Sequence, residues 1–257
     1  MCLIAFAWQA HPQYRLILAA NRDERHDRPS EALHWWNDEP AFLAGRDLVA
    51  GGTWLGITQD GRFATVTNYR ESAAQTAGEI SRGAIVTDYA LGNQTPDKFS
   101  RSIDGSRYSG VNVLVSDGRS LSYVSNRGDG PTTLTAGVYG LSNAALDTPW
   151  AKLVRTRDEL KALTKSNAIT RRALVQLLAD RTVAAKPEIE SDGLPRELAR
   201  AITAPFIVSP DYGTRSTTVL TWSHDHEVRI REARFSPDGD LTGESSFEFD
   251  VVQAAAP

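Results

Sequence analysis

The sequence predicts an α+β protein built from stacked, mainly antiparallel sheets covered by helices. Three observations predict it. Strand-like runs crowd both ends of the chain, two helical blocks lie between them, and the strand-helix alternation of a parallel doubly wound sheet is missing. With 257 residues the chain buries enough surface to need no disulfide or metal staple, and it reads as one domain over residues 1–257.

Cys2 to Trp8 and Tyr14 to Asn21 are apolar runs separated by Gln9-Ala10-His11-Pro12-Gln13. They predict a hairpin that holds the start of the chain in a central, buried position. The charged stretch Asn21 to Arg28 and the pair Trp35-Trp36 lead to a second hairpin, Thr53 to Thr58 and Arg62 to Thr67, around the turn-forming Gln59-Asp60-Gly61. Helical spacing appears over Gly83 to Leu91 and, after Pro96, over Asp97 to Ile103. Gly110 to Val115 and Ser120 to Ser125 alternate around Asp117-Gly118, and Gly137 to Leu141 adds a short strand. Pro149 suits a first helical turn, and Trp150 to Leu163 repeats apolar residues at helical spacing. Ala168 to Ala179 follows as a helix with Thr170 as its candidate cap, and a shorter one spans Pro195 to Ile202. Strands over Ser216 to Trp222, Glu227 to Phe235 and Ser246 to Val251 close the fold, and Gln253 to Pro257 is expected to fray.

Composition removes several classes of function. A net charge of −4 offers no basic field for nucleic acid, and no apolar run is long enough to cross a bilayer. The start of the chain lacks a basic leader region and breaks at Gln9, His11 and Pro12, so the cytoplasm is the expected compartment. Gly51-Gly52 with Gly56 lacks the Gly-Lys-Ser/Thr of a phosphate loop and reads as a tight turn. His224 and His226 share a strand face but sit at a hairpin turn without further ligands, and no Cys-X-X-Cys-His haem attachment is present.

The chemistry concentrates on Cys2, the only cysteine. An initiator methionine is commonly removed before so small a residue, leaving a thiol and a free α-amine together. Their ordinary pKa values, ~8.5 and ~7.7 to 8.0, make the amine a proton acceptor near neutral pH. The alternative is a small buried hydrophobe. Period-two geometry puts Asn21 and Asp23 on one face of the returning strand, with Arg22 and Glu24 on the other. A carboxylate there can orient the amine, or the stretch can be a solvated charged turn. Arg215 starts a predicted strand, from which a guanidinium favours a nearby thiolate. Asn68 and Asn143 end strand-like runs, where an amide either faces an oxyanion or caps a turn.

The ordered set Cys2, Asp23, Asn68, Asn143 and Arg215 resembles that of the choloylglycine hydrolase and penicillin V acylase group of N-terminal nucleophile hydrolases. The motifs Met1-Cys2-Leu3-Ile4, Asn21-Arg22-Asp23-Glu24, Gly51-Gly52-Thr53-Trp54-Leu55-Gly56, Thr67-Asn68-Tyr69-Arg70 and Gly140-Leu141-Ser142-Asn143 resemble more closely, over nearly the whole chain, the Transport and Golgi organisation 2, or NRDE, family. The resemblance implies a four-layer αββα fold with Cys2 opening a central strand. It further implies that Cys2 is the nucleophile, Asp23 orients its amine, Arg215 favours the thiolate, and Asn68 with Asn143 stabilises the oxyanion. Asn21, Arg22, Trp54 and Tyr69, in the same motifs, are the expected substrate contacts. The hydrolases carry an Arg three residues before the Asp; here Ala20 stands there, and alternation turns Arg22 away from Asp23.

These residues point to hydrolysis of a linear amide or thioester through acyl-Cys2, with no metal or organic cofactor. The alternative is a non-enzymatic carrier on the same fold. The family's links to haem trafficking, lipid metabolism and Golgi organisation imply haem, acyl-CoA or another amphipathic molecule as its ligand.

Overall fold

The computed structural model describes residues 2–71, 78–166, 168–184 and 194–252. Met1, whose removal is expected, and the expected fraying end at 253–257 lie outside them.

In chain order, strands β1 (Cys2–Trp8) and β2 (Tyr14–Arg25) form the first hairpin. β3 (Ser30–Trp35) and β4 (Phe42–Asp47) precede the second hairpin, β5 (Leu55–Thr58) and β6 (Phe63–Asn68). Helices α1 (Gly83–Leu91) and α2 (Pro96–Ser102) then lead into β7 (Val111–Ser116), β8 (Leu121–Ser125), β9 (Thr132–Thr133) and β10 (Gly137–Leu141). After α3 (Ala151–Ser166), α4 (Arg171–Leu178) and α5 (Arg196–Ala201) come β11 (Tyr212–Ser223), β12 (Glu227–Phe235) and β13 (Leu241–Asp250).

The strands make two antiparallel sheets, ordered β10-β1-β2-β11-β12-β13 and β3-β4-β5-β6-β7-β8-β9. Alternation along β1 explains how they stack. Ile4, Phe6 and Trp8 point between the sheets and meet Leu55, Ile57 and Phe63, whereas Leu3, Ala5 and Ala7 point outward against Leu153 and Leu160 of α3 and Leu174 of α4. On the far side, Ala64, Val66 and Val113 bury Ile85, Val86 and Tyr89 of α1. The result is four layers, αββα. Each large apolar side chain so buried contributes about 1.5 to 3 kcal/mol. Because β1 is covered on both faces, its sequence is apolar throughout.

Local chemistry fixes the boundaries. Thr170 caps α4 by accepting the Ala173 N–H at 3.1 Å, as its position predicts. β2 runs four residues beyond the expected Asn21 because β11, from the other end of the chain, pairs along it as far as Arg25. β3 and β4 were not anticipated. β3 lies at a sheet edge, is bulged between Glu31 and His34, and so carries no clean alternation. Among the described residues, no helix is long and apolar enough to cross a membrane.

Candidate active site

β1 and β2 lie inside their sheet, between β10 and β11, so their ends bring residues from several strands to one place. Cys2 pairs directly with Arg22, and directly opposed residues of an antiparallel pair share a face. Asp23 pairs with Thr214 of β11. Leu141, at the end of β10, pairs with Ile4, so the next residue, Ser142, reaches Cys2 and donates its hydroxyl to the Cys2 carbonyl at 2.8 Å. The second sheet supplies the facing wall. Cys2, Arg22, Asp23, Trp54, Asn68 and Arg82 line a cavity of about 220 Å³. A wider groove of about 720 Å³ between α4 and β12 lacks the cysteine, so the smaller cavity is the candidate site.

The far wall depends on one close approach. A Cβ at Gly52 would stand 2.6 Å from the Gly83 carbonyl carbon, so glycine there lets the loop before β5 touch the start of α1 and brings Arg82 to the cavity. Gly51, at φ +78°, makes the tight turn expected of this segment.

The electrostatics of the pocket follow from burial. Cys2 keeps part of its surface exposed, yet the protein atoms around its thiol push its pKa up by desolvation; the Asp23 charge adds to the rise, while the Asp23 backbone N–H and the Arg22 guanidinium oppose it. Burial likewise raises the Asp23 carboxyl against the pull of Lys152, a hydrogen bond from Thr214 and the charge of Arg22. Lys152 is itself buried, its Nζ donating to the Ile202 carbonyl at 2.8 Å.

Arg22 is only 6% exposed. Its Cζ lies 4.2 Å from the centroid of the Trp54 ring, a cation-π stack, and among the described residues no hydrogen bond or ion pair reaches its guanidinium. Burial pushes its pKa down, opposed first by Glu24 and then by Cys2 and Asp47. Arg28, on the same wall, is already matched by Asp47 at 2.7 Å.

The structure brings Cys2, Asp23, Asn68, Arg22 and Trp54 together at the cavity and places four other expected residues elsewhere. Arg215 falls in the register shift between Thr214 and Ser216, and its guanidinium donates to the carbonyls of Arg25 and His26, at 3.0 and 2.8 Å, instead of facing Cys2. Asn143 is buried behind the wall. Its Nδ2 donates to the Asn68 carbonyl at 2.7 Å, so it positions Asn68 and does not face the cavity. Asn21 turns toward the helices, donating both Nδ2 hydrogens to the carbonyls of Leu178 and Pro205 and accepting from Thr217, so its side chain braces the fold. Tyr69 lies beyond the cavity lining, tied by its backbone N–H to Gly110. Arg22 does stand on the face opposite Asp23, but that is the face from which the Cys2 side chain projects, so it adjoins the thiol after all.

Sequence reasoning missed Thr214, Lys152, Ser142 and Arg82. Ser142 was within reach, because it sits in a motif already singled out. Thr214 and Lys152 come from distant elements and carried no signal.

The comparison with known proteins settles the family. Residues 1–237 match the sequence profile described as Transport and Golgi organisation 2. The chain belongs to the Transport and Golgi organisation 2 family. It is 36% identical to the Transport and Golgi organization protein 2 homolog of Bos taurus, over 90% of this chain and 92% of that one. With the Homo sapiens homolog it shares 34% identity, over 94% and 95% of the two chains. Among solved structures it is similar to a Caenorhabditis elegans N-acylethanolamine-hydrolyzing acid amidase ortholog, with TM-score 0.51 and 12% identity over 85% of this chain and 92% of that one. A mutant of the conjugated bile acid hydrolase from Clostridium perfringens matches with TM-score 0.53 and 8% identity, over 100% and 99% of the chains. At such identities the likeness is one of fold: the family member described here has the architecture of N-terminal nucleophile hydrolases.

Proposed function

We propose that this protein is an N-terminal cysteine hydrolase that cleaves a linear amide or thioester through an acyl-Cys2 intermediate. The observation that carries the reading is the cavity itself, in which Cys2 meets Arg22, Asp23 and Asn68. Once Met1 is removed, the α-amine of Cys2 takes the thiol proton and Asp23 orients that amine. The Arg22 charge favours the thiolate, which attacks the substrate carbonyl carbon. Among the described residues no hydrogen bond engages the Asn68 carboxamide, so it is available to the developing oxyanion. Collapse breaks the carbon–nitrogen or carbon–sulfur bond, the leaving group takes the proton from the α-ammonium, and water releases the acid from Cys2.

The test compares the wild type with Cys2→Ala and Asn68→Ala on a panel of chromogenic linear amides and thioesters. Cys2→Ala should abolish turnover while leaving the circular-dichroism spectrum and melting temperature unchanged, and Asn68→Ala should lower kcat by ~10² to 10³. A Cys2→Ala protein that retains function in cells and binds haem or acyl-CoA normally would replace this reading with that of a carrier.

A further inference from the structure

We propose that the Cys2 cavity recognises a carboxylate, and that Arg22 is the residue that receives it. This rests on the cavity being the reaction site and names the class of molecule it accepts: a compact substrate bearing a carboxylate close to the scissile bond. A guanidinium 6% exposed, without hydrogen bond or ion pair among the described residues, is an incomplete arrangement. Trp54 covers one side of the guanidinium, its ring centroid 4.2 Å from Cζ, and no described residue takes up the N–H groups, which are left for a ligand. The edge-on partner that matches such a fork is a planar two-oxygen anion, held by two parallel hydrogen bonds. Beside Arg28, which Asp47 already pairs, Arg82 adds a further cation to the wall and spends one N–H on the Gly110 carbonyl at 3.2 Å. Size narrows the choice further. About 220 Å³ falls below the range of roughly 300 to 1,000 Å³ typical of drug-sized ligands, so the group beside Arg22 is small.

The sole cysteine supplies a direct probe. In alkylation the Cys2 thiolate forms a sulfur–carbon bond as the carbon–iodine bond breaks; iodide leaves with the electron pair and the thiol proton goes to buffer. Iodoacetate carries a carboxylate and iodoacetamide does not, so the ratio of their rates cancels the thiolate fraction and reads recognition alone. For the wild type, the ratio should exceed that of N-acetylcysteinamide by about 10-fold or more. It should collapse in Arg22→Gln and also in Arg22→Lys, which keeps the charge but loses the fork. On the wild type, malonate should protect Cys2 at concentrations where inorganic phosphate does not. A ratio equal to that of the free thiol, one retained in Arg22→Lys, or protection by phosphate at least as strong as by malonate would overturn the assignment. None of these readouts requires turnover or a free α-amine, so the result stands apart from the fate of the hydrolase reading.

Discussion

The hydroxyl of Thr214 donates to Asp23 Oδ1 at 2.7 Å and, through the same oxygen, accepts the Ile207 N–H at 2.9 Å. One side chain thereby orients the buried carboxylate at the cavity and anchors the loop before β11. Thr214→Val removes both bonds and should cost about 1 to 3 kcal/mol, seen as a lower urea midpoint with an unchanged slope; Thr214→Ser should recover most of it. Equal stability of the Val and Ser variants would show that the hydroxyl is dispensable.

Asn21 joins the first sheet to the helical layer through the carbonyls of Leu178 and Pro205, and accepts from Thr217 on the neighbouring strand β11. Asn21→Ala should therefore destabilise the protein by about 2 to 4 kcal/mol, the cost of stranding buried carbonyls. In Asn21→Asp a carboxyl faces two carbonyl oxygens, so its folded pKa lies above its unfolded one. The variant should consequently be closer to wild type at pH 4 than at pH 8, the loss growing as pH rises through the folded value. Thermal melts at the two pH values check it.

Asn143 and Asn68 should separate by readout. Asn143→Ala breaks the bond to the Asn68 carbonyl and empties a buried polar position, so it should lower stability by about 1 to 3 kcal/mol. Asn68→Ala removes a side-chain amide that makes no hydrogen bond among the described residues, and should alter stability by no more than ~0.5 kcal/mol while lowering turnover. In a double-mutant cycle on turnover the two should be non-additive.

Glu232 is buried on β12, where its Oε1 accepts the Leu33 N–H at 2.9 Å. Burial raises its carboxyl above the ordinary range, against the Leu33 hydrogen bond and the charges of Arg234 and Arg22. Its contribution to stability is thus complete below the unfolded pKa and is lost as pH rises through the folded one. Glu232→Gln keeps the acceptor without the charge, so it should raise the melting temperature at pH 8 and leave it nearly unchanged at pH 4. A larger gain at pH 4 would contradict the sign.

The layered fold was legible because its central strands read as short apolar runs bounded by turn residues and its helices carry a 3.6-residue period. Alternation also gave the correct faces for Arg22 and Asp23, since face depends only on parity. What it could not give was which face Cys2 shares: that depends on a register in which Trp8 meets Leu16 and Cys2 meets Arg22, fixed by the turn between the strands. Arg215 was misplaced for a related reason, because a bulge shifts the register and period-two reasoning does not foresee it. Thr214 and Lys152 belong to the environment of Asp23 only through pairing and packing across most of the chain, which no local pattern records.

Acyl transfer through Cys2 is tested most directly by the intact mass of the protein, quenched during turnover of a linear amide or thioester and followed by peptide mapping. The expected result is a chain that begins at Cys2, a fraction of it heavier by one acyl group located on Cys2, and no such species in Cys2→Ala. Turnover by protein that still carries Met1, or an acyl group on any other residue, would contradict it.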